Sequence, residues 1–192
     1  MTMETLISVA LGLGLAAAAG LRVFVPVFGA GLAAHFGALP LSHSFAWVGT
    51  TPALIAFGTA TLLEIGAYYI PWLDHALDIV ASPAAVVAGI VASAAVMTDL
   101  PPLVTWTVAI IGGGGAAGLV QMLSVGTRLK STVTTGGLAN PIVATGETVG
   151  AIGITAIAIL VPLVALAACV VFVYVLARIV RRKRAARART AA

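Results

Sequence analysis

The chain has 192 residues, 61% of them hydrophobic and only 8% charged, with a formal net charge of +4. Soluble domains carry about 25% charged residues, so a chain this apolar cannot cover itself in water and belongs in a bilayer. The single Cys169 excludes both a disulfide framework and a cysteine metal site.

The start, MTMETL, carries Glu4 where a signal peptide would be basic, so the first apolar run is expected to stay as a membrane helix. That run, residues 5–37, is too long for one straight span of about 20 residues. It contains Gly20, Arg22 and Pro26, and a break or kink is expected over GLRVFVP. Residues 46–70 are expected to form a full span carrying Glu64, closed by Tyr68, Tyr69 and Trp72 as an interfacial belt. PWLDHALDIVAS then reads as a short interfacial segment, with Asp74 and Asp78 on one helical face. Pro83 suits the first turn of a third span, which ends before the hairpin Asp99-Leu100-Pro101-Pro102.

A fourth span is expected from Leu103 to Val125, through the four glycines Gly112 to Gly115. TRLKSTVTTGGLANP follows as a polar loop or re-entrant element. Asn140-Pro141 then opens a half-helix running to Gly150, with Asn140 as cap. Residues 141–180 are again too long for one span, and Pro162 marks a kink. The fold class is therefore an all-α integral membrane protein: a bundle of five to six transmembrane helices with broken or re-entrant elements near 20–26 and 131–150. Residues 1–180 form its single domain, and 181–192 a basic, disordered cytoplasmic tail.

Seven of the ten Lys/Arg residues fall in the last fifteen positions, from Arg178 to Arg189. Such a cluster after an apolar helix marks the cytoplasmic side and attracts anionic lipid headgroups. RRKRAARAR has no folded reading element beside it, so nucleic acid is not an expected partner. Small residues recur at four-residue spacing, and Gly20, Gly89, Gly114, Gly118, Gly146 and Gly150 are expected to let helices approach closely.

The informative polar positions are Arg22, Glu64 and Glu147. A charge at bilayer depth costs about 2.5–3.5 kcal/mol on insertion scales, so each should pair, line a wet cavity or snorkel. Arg22 or Arg128 can supply the counter-charge, and both a structural ion pair and a proton or cation site stay open. Glu64 and Glu147 sit in similar octets, ATLLEIGA and ATGETVGA, although Ala/Thr/Gly-rich sequence produces such matches by chance. Asp74, His75 and Asp78 offer a possible cation site or a solvated face. His35 and His43 flank a loop. No nucleophile–base pattern or phosphate loop is present, so no enzyme and no cofactor is expected.

AAGLRVFVP, LLEIGAYYIPWLDHALDIVASP and TGGLANPIVATGE together resemble a family of small bacterial membrane proteins catalogued as domain of unknown function 4126. The resemblance covers about residues 10–165. It implies a multi-pass protein, supports Arg22, Glu64, Asp74, Asn140 and Glu147 as positions to test, and adds no substrate. Two functions remain open. One is a transporter or channel for an ion or small solute, helped by homo-oligomerisation. The other is a non-transporting lipid-binding or complex-assembly protein in which the charges are structural. The expected location is the bacterial cytoplasmic (inner) membrane, with the C-terminus inside.

Overall fold

Proline and glycine, rather than polar caps, set most of the helix ends. The computed structural model describes residues 2–190 and, within them, all side chains except those at positions 71, 72, 74, 75, 176, 179, 180 and 183–190. Helix α1 (Met3–Ala19) has a side-chain cap, Thr2, whose hydroxyl accepts from the Thr5 N–H at 3.2 Å. In a continuous helix the Pro26 ring would collide with the Arg22 carbonyl four residues back. The chain accordingly breaks over Gly20–Val23 and resumes as α2 (Phe24–His35).

A 3₁₀ helix (His43–Gly49) leads into α3 (Thr51–Ala67), with prolines opening α3 and the next helix, α4 (Pro71–Val96). Pro102 opens α5 (Pro102–Val108), which continues through a π-helical turn (Ala109–Gly114) into α6 (Gly115–Thr135). Gly136 and Gly137, at φ 64° and 88°, end α6 in the left-handed region that glycine adopts without strain. Helices α7 (Asn140–Leu160) and α8 (Pro162–Thr190) meet at Val161, which the following proline keeps out of helical geometry. No strand occurs among the described residues.

Several sequence expectations change. Pro83 lies inside α4 instead of starting a span, so residues 71–82 are helical and continuous with it. Proline is tolerated inside helices of apolar bundles, where neighbouring groups re-satisfy the freed backbone. The polar stretch after Val125 is no loop, because α6 stays helical to Thr135 and the break near 131–150 shrinks to residues 136–139. Residues 46–70 are not one straight span: the 3₁₀ helix and α3 meet at 68°, across the extended Thr50. Helix α8 runs on into the basic segment as far as Thr190, as its alanines and arginines favour.

Among the described residues three helices are long and apolar enough to cross a membrane: Ala76–Val96, Pro102–Thr135 and Asn140–Leu160. Counting the bent pair as one span makes four; Met3–Ala19, Phe24–His35 and Pro162–Val175 are shorter apolar helices.

Helix directions follow from which residues meet. In α1, Gly12 lies against Ser93 and Ala16 against Gly89, so α4 is antiparallel to it. Gly14 meets Ala158 and Leu21 meets Gly150, so α7 is antiparallel as well. Phe28 meets Gly58 near the middle of the α2–α3 pair, and the start of α2 meets the end of α3. Thus α1 and α2 form a hairpin whose turn ends inside the bundle.

Contact there is close because side chains are nearly absent. A Cβ on Gly113 would lie 2.3 Å from Ser93 Oγ and 2.8 Å from the Gly89 carbonyl oxygen. Ser93 in turn donates to the Gly12 carbonyl at 2.9 Å, locking α1, α4 and the π turn together. Gly20 and Gly89 are in such close contact, with atoms 2.5 Å from a Cβ, and Gly114, Gly150 and Gly118 are looser at 3.0, 3.2 and 3.4 Å. Gly146 faces open space within the chain, with nothing among the described residues within 4 Å of its Cβ position.

Candidate functional site

The buried turn of the α1–α2 hairpin sits where five helical segments converge, and it carries Arg22, fully buried at 0% exposure. Its guanidinium donates to the Thr148 hydroxyl at 3.0 Å and the Ala144 carbonyl at 2.8 Å, and lies 3.4 Å from Glu147 Oε2. The break itself leaves helix α2 with free N–H groups at its start. Glu64 supplies the acceptors: Val23 N–H donates to Oε1 at 2.7 Å and Phe24 N–H to Oε2 at 3.0 Å. A carboxylate from α3 thereby caps the helix that follows Arg22, and the partial positive charge of that helix end favours it.

Glu147, on α7, is the centre of the ion pairing. Arg128 of α6 donates to its Oε2 at 2.6 Å and its Oε1 at 3.2 Å, a two-point geometry that only a guanidinium offers. The Ser124 hydroxyl, one turn before Arg128, also donates to Glu147 Oε1. Arg128 reaches the other way to Asp78 Oδ1 of α4 at 2.5 Å. Both guanidiniums lie over the ring of the buried Tyr68, at 4.1 Å for Arg22 and 4.0 Å for Arg128. One aromatic face-type contact thus draws two like charges together.

The cluster is set back from one end of the bundle. Arg128 precedes Gly136 by eight residues, and Glu147 and Asp78 follow the starts of their helices by seven. At 1.5 Å rise per residue these offsets amount to about 10–12 Å.

Of the residues singled out in sequence, the structure brings Arg22, Glu64, Asp78 and Glu147 together. Asn140 lies elsewhere: it is the first residue of α7 and no cap, its side chain donating to the Thr132 hydroxyl at 3.1 Å to tie α7 to α6. The side chains of Asp74 and His75 lie outside the described residues. Among the described residues no three His, Cys, Asp or Glu side chains are grouped to hold a metal, and Asp78 faces Arg128. His35 and His43 are exposed at the opposite end, His35 Nδ1 within 2.9 Å of the Gly49 carbonyl.

A family comparison matches residues 9–182. The chain belongs to the family described as Domain of unknown function (DUF4126). The DUF4126 match runs beyond residue 165, where the resemblance was expected to stop, and takes in Arg178, Arg181 and Arg182. No curated protein and no solved structure matches the chain.

Two members of the cluster, Tyr68 and Ser124, were not singled out from sequence as site residues, and Arg128 was named only as a possible counter-charge. Tyr68 reads as an interfacial anchor, yet it is 3% exposed. Ser124 and Arg128 had a usable signal. On α6 the buried positions are Ala117, Gln121, Ser124, Arg128 and Ser131, a stripe at three- and four-residue spacing that is polar on its inner face.

Proposed function

We propose that this chain is a membrane transport protein or channel that passes an ion or small solute along the Arg/Glu cluster at the α1–α2 turn. The observation that carries the proposal is the convergence of Arg22, Glu64, Asp78, Arg128 and Glu147 on a helix break inside an apolar bundle. Replacing a buried ion pair by apolar residues is often neutral or stabilising, so locking helices together does not require these charges. Intramembrane ionisable groups mark polar pathways by default. Further along the α6 stripe, the buried Gln121 Nε2 and Ser131 Oγ have no hydrogen-bond partner among the described residues, as a hydrated or solute-bearing path would supply.

In this reading α3, α4, α5–α6, α7 and α8 are five crossings of a bacterial inner membrane, and α1–α2 is a re-entrant hairpin. The basic end of α8 faces the cytoplasm, and homo-oligomers form. Arg178, Arg181 and Arg182 are exposed on α8, where anionic headgroups can meet them. Deleting residues 181–192 should leave the fold intact and weaken salt-sensitive binding to acidic vesicles; unchanged binding would refute that lipid contact.

A second reading has its own observation. Both oxygens of Glu147 are engaged, and the grooves beside the cluster are apolar, of about 370 and 430 Å³. A lipid-binding or assembly protein with structural charges would look like this. Proteoliposomes separate the two. With a trapped pH dye and a Na⁺, K⁺ or proton gradient, transport predicts protein-dependent flux that Glu147→Gln abolishes. The structural reading predicts no flux from either protein.

A further inference from the structure

We infer that the groove between α2, α3 and α4 binds a monovalent organic cation with an apolar body, its charge held against Glu64. As a substrate class this rests on the transport reading above; as a binding site it does not. The groove holds about 370 Å³ and is walled by Val23, Phe24, Leu63, Tyr68 and Leu77, with Glu64 its charged residue. It is open along one side, where α3 and α4 pack only lightly.

Charge decides the ligand. Among the described side chains the cluster sets two guanidiniums, Arg22 and Arg128, against three carboxylates, Glu64, Asp78 and Glu147. Glu147 and Asp78 are in ion pairs with these arginines; Glu64 is in none and receives only two backbone N–H groups. A helix end contributes about half a positive charge, which leaves Glu64 short of a full counter-charge. Each Glu64 oxygen accepts one hydrogen bond and keeps a second lone-pair direction. One added positive charge completes the compensation of Glu64, whereas an anion opposes it.

A bare metal ion is the poorer match. Divalent cations take about six or more oxygen ligands, and the remaining walls are hydrocarbon. Those walls favour alkyl or aryl groups on the cation, at about 25 cal/mol per Å² of apolar surface removed from water.

Equilibrium binding to the full chain in lipid nanodiscs tests the inference, with tetraphenylphosphonium as probe and the near-isosteric anion tetraphenylborate as its counterpart. Saturable binding of the cation and none of the anion is expected. Glu64→Gln should weaken it at least tenfold. Because Glu64 also caps α2, Ala84→Phe serves as a second variant, filling the groove while leaving the carboxylate and its cap in place. It should weaken binding at least tenfold with unchanged thermal stability. Equal binding of both ions would show a groove for lipid chains only and overturn the inference. Cation binding that survives in both variants would overturn it as well. Saturable binding without any flux would support the site while removing the transport reading.

Discussion

Glu147→Gln should destabilise the folded bundle by about 3–5 kcal/mol, the cost typical of removing one partner from a buried charge set. Two effects add. Arg22 and Arg128 are 0% and 3% exposed, and both direct guanidinium nitrogens at this one carboxylate. Without its charge two buried guanidiniums remain close together beside Tyr68, with Asp78 still the ion-pair partner of Arg128. The neutral amide also brings two donor hydrogens into a site that already holds the donors of Ser124 and both arginines. Thermal unfolding in detergent, followed by far-UV circular dichroism, should show a large fall in midpoint. A midpoint within error of the wild type would place Glu147 on a wet surface.

Gly113→Ala should be among the most damaging single-methyl changes, at about 1–3 kcal/mol and more if the helices cannot part. The added Cβ would meet the Gly89 carbonyl oxygen at 2.8 Å and Ser93 Oγ at 2.3 Å. Ser93 cannot simply swing away without giving up its hydrogen bond to Gly12. Gly115→Ala, two residues on, is the control. It has nothing within 4 Å and ordinary helical angles, so it should be neutral or slightly stabilising. Equal stability of the two variants would show that Gly113 does not set the spacing between the π turn and α4.

Much of the hairpin was legible in sequence because its cause is local. Pro26 forbids a continuous helix through Arg22, and Pro162 and the 99–102 turn act in the same way. Pro83 misled for the opposite reason: helix breaking by proline is conditional, and α4 absorbs it among packed neighbours. Polarity misled at 126–135, where Arg128 and Ser131 suggested a loop. They are the inner face of a helix, and in an apolar bundle polar groups turn inward. The pairing of Arg22 and Arg128 with one glutamate could not be read from sequence, since it depends on α6 and α7 meeting across a two-glycine turn. Nor could Glu64 be recognised as the cap of α2, forty residues away.

The transport role of the charges is tested most directly by removing an equal number of both signs. In Arg22→Met with Glu147→Met, Arg128 loses its two-point partner but keeps Asp78 and Ser124, and buried positive and negative charges fall by one each. Apolar replacement of buried ion pairs is often neutral or stabilising, so the double variant should fold and melt close to the wild type. Flux in proteoliposomes, measured side by side on the two proteins, is then a reading of the charges and not of the fold. The transport account predicts clear flux from the wild type and none from the double variant. Equal flux from both, or none from either, would contradict it.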